Sequence, residues 1–317
     1  MRRLVVTETG GALTVEETPA PPEVVEDSSV ADKARAYFAL TKPRIIELLL
    51  VTTVPSMIVA ERGLPSPVLI LWTLVGGTLA AGGANAINCY VDRDIDSIMN
   101  RTRKRPLPRH AIVPRNALLF GTGLGVISFI LLAATVNLPA AVLALSALLF
   151  YVFVYTIGLK RSTPQNIVIG GAAGAVPTLV GWAAVTGTID APALALFGIV
   201  FYWTPPHFWA LAMRYENDYA AAGVPMMPVV YGRNETAKHI VLYSVLLAAM
   251  SLVFFSLGKM GVVFLGAAIV LNGLFVFKSV RLWRNPTAPA AWGLFRFSIY
   301  YLALLFAAMA ADVLITP

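Results

Sequence analysis

The chain has 317 residues, of which 58% are hydrophobic and 13% are charged, and its mean hydropathy is +0.74. Soluble domains carry about 25% charged residues, so this composition excludes a soluble globular protein and predicts an integral membrane protein. The net charge of +7 would suit an anionic partner such as nucleic acid, unless membrane topology explains where the cations lie. A single cysteine, Cys89, excludes an intrachain disulfide.

The first 36 residues are polar and include the proline-rich run TPAPPEVVED (18–27). They contain no apolar core of a secretory signal peptide, and they have too few apolar side chains to bury a core. The sequence therefore predicts a disordered tail over residues 1–36 and a transmembrane domain over residues 37–317.

Nine apolar segments in this domain have about the 20 residues that a membrane-spanning helix needs. Pro67, Pro139 and Pro192 lie where three of them begin, at positions where a missing N–H costs little. The segments are long and lack period-two alternation, which predicts helices rather than barrel strands. The predicted spans are 42–60, 67–89, 117–136, 139–158, 166–186, 191–212, 239–257, 260–280 and 294–314.

The positive charges lie on one side of this pattern. Of the 24 Lys and Arg residues, 22 fall on the side of the N-terminal tail, and only Arg62 and Lys259 fall on the other. The positive-inside rule then places the tail and the loops 92–116 and 213–238 in the cytoplasm, with the C-terminus external. We expect a multi-pass protein of the cytoplasmic (inner) membrane, and topology rather than a nucleic-acid partner explains the charge.

An acidic cluster, NCYVDRDID (88–96), follows the second predicted helix. Asn88, Asp92 and Asp96 are spaced i, i+4, i+8 and share one helical face. The two carboxylates repel each other and lie at a helix C-terminus, where the dipole disfavours anions. A divalent cation would remove both penalties, and oxygen ligands favour Mg²⁺. Relief of the repulsion at the helix C-terminus predicts that Asp92→Asn leaves stability equal or slightly higher. The alternative to a metal site is a solvated loop in which these aspartates pair with nearby arginines.

A second acidic cluster follows the sixth predicted helix and contains Glu216 and Asp218. It comes four helices after the first, which predicts a weak internal duplication: two four-helix units plus one helix in a bundle of nine. Two facing acidic sites could hold two Mg²⁺ ions around one diphosphate. The apolar bundle could then shield a prenyl carbocation from water.

These motifs support a family resemblance. The pattern Asn88-xxx-Asp92-xxx-Asp96, cytoplasmic in a helical bundle, resembles the UbiA superfamily of intramembrane prenyltransferases, and in particular its protoheme IX farnesyltransferase (heme O synthase) family. The resembling segments are LTKPRIIELLL (40–50), DRDIDSIMNRTRKRPLP (92–108), LKRSTPQNIVIGGAAGAVP (159–177), WTPPHFWALAM (203–213) and DYAAAGVPMMPVV (218–230).

The resemblance implies transfer of farnesyl from farnesyl diphosphate to a vinyl group of heme B, giving heme O, with Mg²⁺ as cofactor. Both substrates and the lipid bilayer would be its partners, and a downstream heme A synthase is a further partner to consider. Residue by residue, it implies the following roles: Asn88, Asp92 and Asp96 as catalytic metal–diphosphate residues, Asp218 and Glu216 as further metal ligands, and Arg101, Arg105 and Lys160 as diphosphate contacts.

One of the three histidines, His207, lies inside the sixth predicted helix, directly after Pro205-Pro206. The double proline is expected to break this helix and free backbone carbonyls, which need partners inside a membrane. Given the resemblance, His207 is a candidate contact for heme and could ligate its iron. The alternative is a structural histidine that donates a hydrogen bond to a freed carbonyl.

Two other functions fit parts of the sequence. A UbiA-type prenyltransferase for another aromatic or tetrapyrrole acceptor would share the diphosphate site and differ in the acceptor pocket. A secondary transporter would fit the apparent repeat and the expected helix break. Transporter sites lie near the bilayer midplane, whereas the acidic residues singled out here lie at one rim, which counts against transport.

Overall fold

The computed structural model describes the backbone of residues 4–9, 12–17 and 29–315, and the side chains of residues 29–43 and 51–315. Two strands, β1 (Leu4–Thr9) and β2 (Ala12–Glu17), pair antiparallel. Twelve α-helices follow: α1 (Val30–Leu40), α2 (Pro43–Glu61), α3 (Pro67–Val91), α4 (Arg93–Ile98), α5 (Pro114–Thr135), α6 (Leu138–Leu149), α7 (Asn166–Thr186), α8 (Ala191–Arg214), α9 (Glu216–Ala221), α10 (Met227–Leu257), α11 (Val262–Arg284) and α12 (Ala288–Ile315). A π-helical segment (Phe150–Leu159) continues α6.

Some secondary structure occurs within residues 1–36, for which the sequence predicts a disordered tail. The paired strands lie within the predicted tail, and α1 begins at Val30, before its predicted end at residue 36. Residues 1–3, 10–11 and 18–28 of the tail lie outside the described residues. The disordered tail and the boundary at residues 36–37 therefore stay predictions.

The remainder of the described chain is helical, as the sequence predicts. Seven helices are long and apolar enough to cross a membrane: α3, α5, α6 with its π-helical segment, α7, α10, α11 and α12. Their outward faces carry exposed apolar side chains such as Leu71, Ile130, Phe153 and Phe277, which is what a lipid environment requires. The chain is therefore a multi-pass, all-helical membrane protein. Helices α2 and α8 coincide with the other two predicted spans.

Helix starts follow the local sequence signals. Pro67, Pro139 and Pro192 each occupy the first turn of a helix, as their fixed φ predicts. Two of these helices are also capped by side chains, because Asn137 and Asp190 accept hydrogen bonds from backbone N–H groups three residues later, at 2.9 and 3.3 Å. These N-terminal caps fix where α6 and α8 begin.

The core surrounds α8, which packs against α7, α10 and α12. Large buried side chains fill this region, among them Trp203, Trp209, Phe264, Tyr301 and Phe306. Elsewhere α3 and α5 approach closely at Gly83. A Cβ atom there would lie 2.6 Å from the carbonyl oxygen of Gly121, so this contact needs a glycine.

Corresponding parts of the two predicted four-helix units have similar structures. The first acidic cluster leads into α4 and the second into α9, and both are short helices that directly follow a long one. The long helix packs extensively on the next long helix in each case, α3 on α5 and α8 on α10. Helix α10 starts well before its predicted residue 239 and bends at Gly232, whose φ of 76° favours glycine.

The two ends of the bundle differ in charge. Lys42, at the start of α2, lies beside Asn88, near the end of α3. At the opposite end, Arg62 donates hydrogen bonds to the carbonyl oxygens of Gly258 and Lys259, at 3.0 and 3.2 Å. The two cations that the sequence assigns to the external side therefore meet at one end, away from the acidic clusters.

Candidate active site

The end of α3 and the start of α4 bring the first acidic cluster into the interior of the bundle. Asn88, Asp92 and Asp96 are 3%, 0% and 1% exposed. These side chains are shielded from water, so the solvation assumed in the alternative is wrong, but its pairing of aspartates with arginines does occur. Burying charged carboxylates costs several kcal/mol each, by a rough estimate, unless cations compensate them, so their partners decide what the cluster does.

Asp92 accepts hydrogen bonds from the described residues on one oxygen only. Its Oδ2 atom accepts a hydrogen bond of 2.7 Å from Asn88 Nδ2 and forms an ion pair with Lys160 Nζ, which follows the π-helical segment. Its Oδ1 atom is buried and accepts no hydrogen bond within the described part of the chain; Arg161 Nη2 is 3.7 Å away. A buried carboxylate oxygen without a donor is a place where a cation fits.

Asn88 is held from both sides. Its Oδ1 atom accepts a hydrogen bond of 2.6 Å from Lys42 Nζ, and its Nδ2 atom also donates to Thr156 Oγ1 at 3.0 Å. Thr156 belongs to the π-helical segment, a type of helix that often occurs at functional sites. Lys42 has a left-handed backbone (φ 54°), which is uncommon for a residue other than glycine.

Asp96 has a different partner. Its Oδ2 atom pairs with Arg105 Nη1 at 2.7 Å, and its backbone oxygen accepts a hydrogen bond of 3.0 Å from the Thr102 hydroxyl. Burial alone would lower the pKa of Arg105, but the neighbouring Asp96 carboxylate raises that pKa above its ordinary value. Arg105 therefore remains a cation beside the cluster.

Asp94 points away from the cluster, and its side chain is 60% exposed. Both of its oxygens accept hydrogen bonds of 2.7 Å from Arg161. This pairing holds the pKa of Asp94 down at about 2. Arg161 is thereby fixed at the edge of the cluster, and it also donates to the carbonyl oxygen of Val91 at 3.1 Å.

The second acidic cluster is only partly joined to the first. Asp218 accepts hydrogen bonds from Asn100 Nδ2 at 3.1 Å and from the backbone N–H of Arg101 at 3.0 Å. The Arg101 guanidinium donates to the Tyr219 hydroxyl at 3.2 Å. Glu216 instead pairs with Arg233 on α10, at 2.6 Å.

The five predicted metal ligands therefore do not converge. Among the described residues, no group of three or more His, Cys, Asp or Glu side chains is arranged to hold a metal. Asn88, Asp92 and Asp96 do lie together, and the Oδ1 atom of Asp92 accepts no hydrogen bond from the described residues. Of the predicted diphosphate contacts, Lys160 and Arg105 touch this cluster directly, whereas Arg101 lies beside Asp218.

The expected break in the sixth predicted helix is wrong, because α8 is continuous from Ala191 to Arg214. Neighbouring helices pack around it, and such packing lets an internal proline remain inside a helix. His207 is 6% exposed, and its Nδ1 atom lies 2.7 Å from the Ser298 hydroxyl of α12. The ring stacks on Trp203, with centroids 4.3 Å apart, and lies against Phe295. The described contact of His207 is thus a hydroxyl, not a freed carbonyl.

Sequence reasoning missed four residues of these clusters: Lys42, Thr156, Arg161 and Ser298. Lys42 offered a signal, since a lysine directly before the proline of an apolar helix is an expensive place for a charge. Thr156 and Ser298 offered none, because each is a small hydroxyl residue within an apolar segment.

Comparisons with known proteins agree with this geometry. Residues 49–308 match the UbiA prenyltransferase family. A protoheme IX farnesyltransferase of Parafrankia sp. (strain EAN1pec) is 52% identical over 94% of this chain and 97% of its own length. The fold resembles a digeranylgeranylglyceryl phosphate synthase, with a TM-score of 0.73, 19% identity and coverage of 89% and 99% of the two chains. It also resembles a UbiA homolog from Archaeoglobus fulgidus bound to DMAPP and Mg²⁺, with a TM-score of 0.62, 18% identity and coverage of 86% and 98%. The chain belongs to the UbiA prenyltransferase family.

Proposed function

We propose that this prenyltransferase transfers farnesyl from farnesyl diphosphate to a vinyl group of heme B and so produces heme O. The observation that carries prenyl transfer is the buried cluster in which Asp92 and Asp96 face Lys160 and Arg105 at one end of an apolar bundle. The choice of donor and acceptor is supported by the 52% identity with the Parafrankia protoheme IX farnesyltransferase, which extends over nearly the whole chain.

The metal is the first part of this proposal. Asn88, Asp92 and Asp96 would hold Mg²⁺, since Asp92 Oδ1 is buried without a donor and oxygen ligands suit this ion. When bound, Mg²⁺ would neutralise charge on the leaving diphosphate. The UbiA homolog from Archaeoglobus fulgidus with bound DMAPP and Mg²⁺ supports this assignment. Asp218 and Glu216 stay predicted ligands of a second ion, for which the structure offers no shared cluster.

The cations of the site are the second part. Lys160, Arg105 and Lys42 lie within or beside the acidic cluster and can donate hydrogen bonds to diphosphate oxygens. Such donors act most strongly as charge develops on the leaving group. Arg101, in the first loop and beside Asp218 of the second, is also proposed to contact the diphosphate.

The chemical balance follows from these roles. The bond between the allylic carbon and the diphosphate oxygen breaks, and its electron pair leaves with the diphosphate. The vinyl group of heme B attacks the allylic carbon and forms the new carbon–carbon bond. Water then adds to the resulting cation and loses a proton, which leaves the hydroxyethylfarnesyl side chain. The apolar core excludes other water from the cation until that step.

His207 is proposed to act on the acceptor side. Its ring lies in a buried cluster with Trp203 and Phe295, and aromatic rings of this kind can stack on a porphyrin. Ser298 engages Nδ1, so Nε2 is the nitrogen left to face heme. Ligation of the heme iron by this nitrogen stays a hypothesis within the proposal.

We also propose the membrane arrangement that the sequence predicts. Nine spans result if α2 and α8 cross the membrane with the seven apolar helices. The active site would face the cytoplasm, because 22 of 24 Lys and Arg residues lie on its side and Arg62 and Lys259 lie at the opposite end. The protein would then reside in the cytoplasmic membrane with its N-terminus inside.

The test is product formation by the full chain in lipid nanodiscs. Heme B, farnesyl diphosphate and Mg²⁺ should together yield a more lipophilic heme, identified by mass as hydroxyethylfarnesyl heme, and omission of any one of them should prevent it. Dimethylallyl and geranyl diphosphates as donors, and a hydroxybenzoate as acceptor, serve as specificity controls. Prenylation of the hydroxybenzoate but not of heme B would overturn the acceptor, and release of diphosphate with no prenylated product would overturn transfer itself.

A further inference from the structure

A basic notch lies between the last turns of α11 and the first turns of α12, away from the acidic clusters. Its volume is about 290 Å³. Three polar side chains and several apolar ones line it, principally Phe277, Lys278, Arg281, Leu282, Asn285 and Leu294. The notch thus combines a cationic edge with an apolar floor.

The cations of the notch have no acidic partner among the described residues. Lys278 and Arg281 are one helical turn apart and form no ion pair within the described part of the chain. The sequence contains no Asp or Glu from residue 236 to residue 311. Lys278 Nζ lies 5.1 Å from the centre of the Phe297 ring, an aromatic contact that orients the ammonium without neutralising it.

The predicted end of the span places the notch at headgroup depth. Helix α11 begins at Val262, near the bundle end that holds Arg62 and Gly258, so Arg284 marks the end where the active site lies. The predicted span ends near residue 280, which places Lys278 and Arg281 on either side of the boundary between hydrocarbon and headgroups. Lysine and arginine side chains at this level reach toward lipid phosphates.

We propose that this notch binds the headgroup of an anionic phospholipid from the leaflet on the active-site side. The phosphate would meet Lys278 and Arg281, the Asn285 amide could donate to its oxygens, and an acyl chain would lie on Phe277 and Leu294. Charge complementarity and the apolar floor favour a lipid over a water-soluble anion, which would leave that floor uncovered.

Binding there would reach the proposed acceptor side through α12. Leu294 lines the notch, while its neighbour Phe295 packs against His207 and Ser298 contacts His207 Nδ1. A lipid that contacts both α11 and α12 would therefore stabilise α12, the helix that carries Phe295 and Ser298. The expected consequence is a protein that is more heat-stable with anionic lipid than with neutral lipid.

The experiment uses the purified full chain in a neutral detergent, with phosphatidylglycerol and phosphatidylcholine added separately. Native mass spectrometry counts bound lipid, and thermal unfolding reports stability. The wild type should prefer phosphatidylglycerol and gain stability from it. Lys278→Gln and Arg281→Gln should each lower its affinity about fivefold, and the double variant about 25-fold, since each cation near a lipid surface contributes a factor of that size.

Arg284→Gln is the matched control, because it removes the same charge from the same helix end but does not line the notch. It should keep the preference for phosphatidylglycerol. Farnesyl transfer by all variants in lipid-free detergent should equal that of the wild type, which shows that they fold. Undiminished preference in the double variant, or an equal loss in Arg284→Gln, would overturn the site. Stabilisation against heat by inorganic phosphate alone, or displacement of phosphatidylglycerol by heme B, would show that the notch binds an anion other than a phospholipid.

Discussion

Replacing Asp92 by Asn separates the charge of this carboxylate from its size. In the structure Asp92 is fully buried and pairs with Lys160, whose side chain is 14% exposed. The substitution would leave the Lys160 ammonium facing a neutral amide inside the bundle. Removing one partner of a buried ion pair typically costs about 3–5 kcal/mol. Because Lys160 keeps some contact with solvent, we expect the lower end of that range. The sign is opposite to the sequence-based expectation, which rested on relief of the repulsion between Asp92 and Asp96 at an unfavourable helix C-terminus.

Activity should fall independently of this loss of stability. If Asp92 holds Mg²⁺ against the diphosphate, the contact strengthens as the leaving group gains charge, and its removal should lower the transfer rate about 10²–10³-fold. The Mg²⁺ concentration for half-maximal rate should also rise. Lys160→Met should raise the KM for farnesyl diphosphate with no change in Mg²⁺ requirement. The double variant should recover stability, because neither charge is then left unpaired, but it should not recover transfer.

The assays are farnesyl transfer against Mg²⁺ concentration and thermal unfolding in the same detergent. Asp94→Asn is the matched control: it removes the same charge two residues away, from a side chain that is 60% exposed and paired with Arg161. It should change stability by only about 0–1 kcal/mol and leave transfer near the wild-type rate. Transfer by Asp92→Asn close to the wild-type rate, with the same Mg²⁺ dependence, would refute the metal assignment.

Three further predictions concern Lys42, the acceptor side and the membrane topology. Lys42→Met should lower kcat/KM for farnesyl diphosphate about tenfold or more, because it removes a charged donor from Asn88; unchanged kinetics would make Lys42 a packing residue. His207→Ala should weaken heme B binding in a spectroscopic titration without affecting farnesyl diphosphate, and Ser298→Ala should do so to a smaller extent; equal heme affinity in all three proteins would leave His207 a structural role. A cysteine at position 104, made as Lys104→Cys, should react with a membrane-impermeant maleimide in inverted vesicles but not in intact cells, and the reverse pattern would invert the topology.

Much of the helical framework could be predicted from the sequence because its signals are local. Apolar length and proline position gave the limits of α3 and α7 to within two residues. The start of α10 was missed, since the polar stretch 233–238 precedes the predicted span, and the helix continues before it, through the bend at Gly232, back to Met227. The break at Pro205-Pro206 was predicted wrongly because it depends on how neighbouring helices pack, which no local pattern encodes.

The acidic residues of the site could be predicted from the sequence, but the residues that pair with them could not. Asn88, Asp92 and Asp96 could be found from their spacing on one helical face. Their burial could not, because the cations that make it tolerable, Lys42 and Lys160, lie 46 and 68 residues away from Asn88 and Asp92. Only the folded chain shows that these charges compensate one another.

The net charge of the buried carboxylates and their cations explains why so many ionic groups lie together at one end of a membrane bundle. Asp92 and Asp96 bring a formal charge of −2, and Lys42, Arg105 and Lys160 bring +3, which leaves the cluster with one positive charge. A diphosphate ester carries about three negative charges at neutral pH, so with one Mg²⁺ it carries about one. Such a complex would neutralise the cluster. The acids of the second cluster already have partners of their own, so a second Mg²⁺ would have to displace them. Without ligand, the lysines and arginine hold the carboxylates in the buried positions that the incoming metal and diphosphate would use.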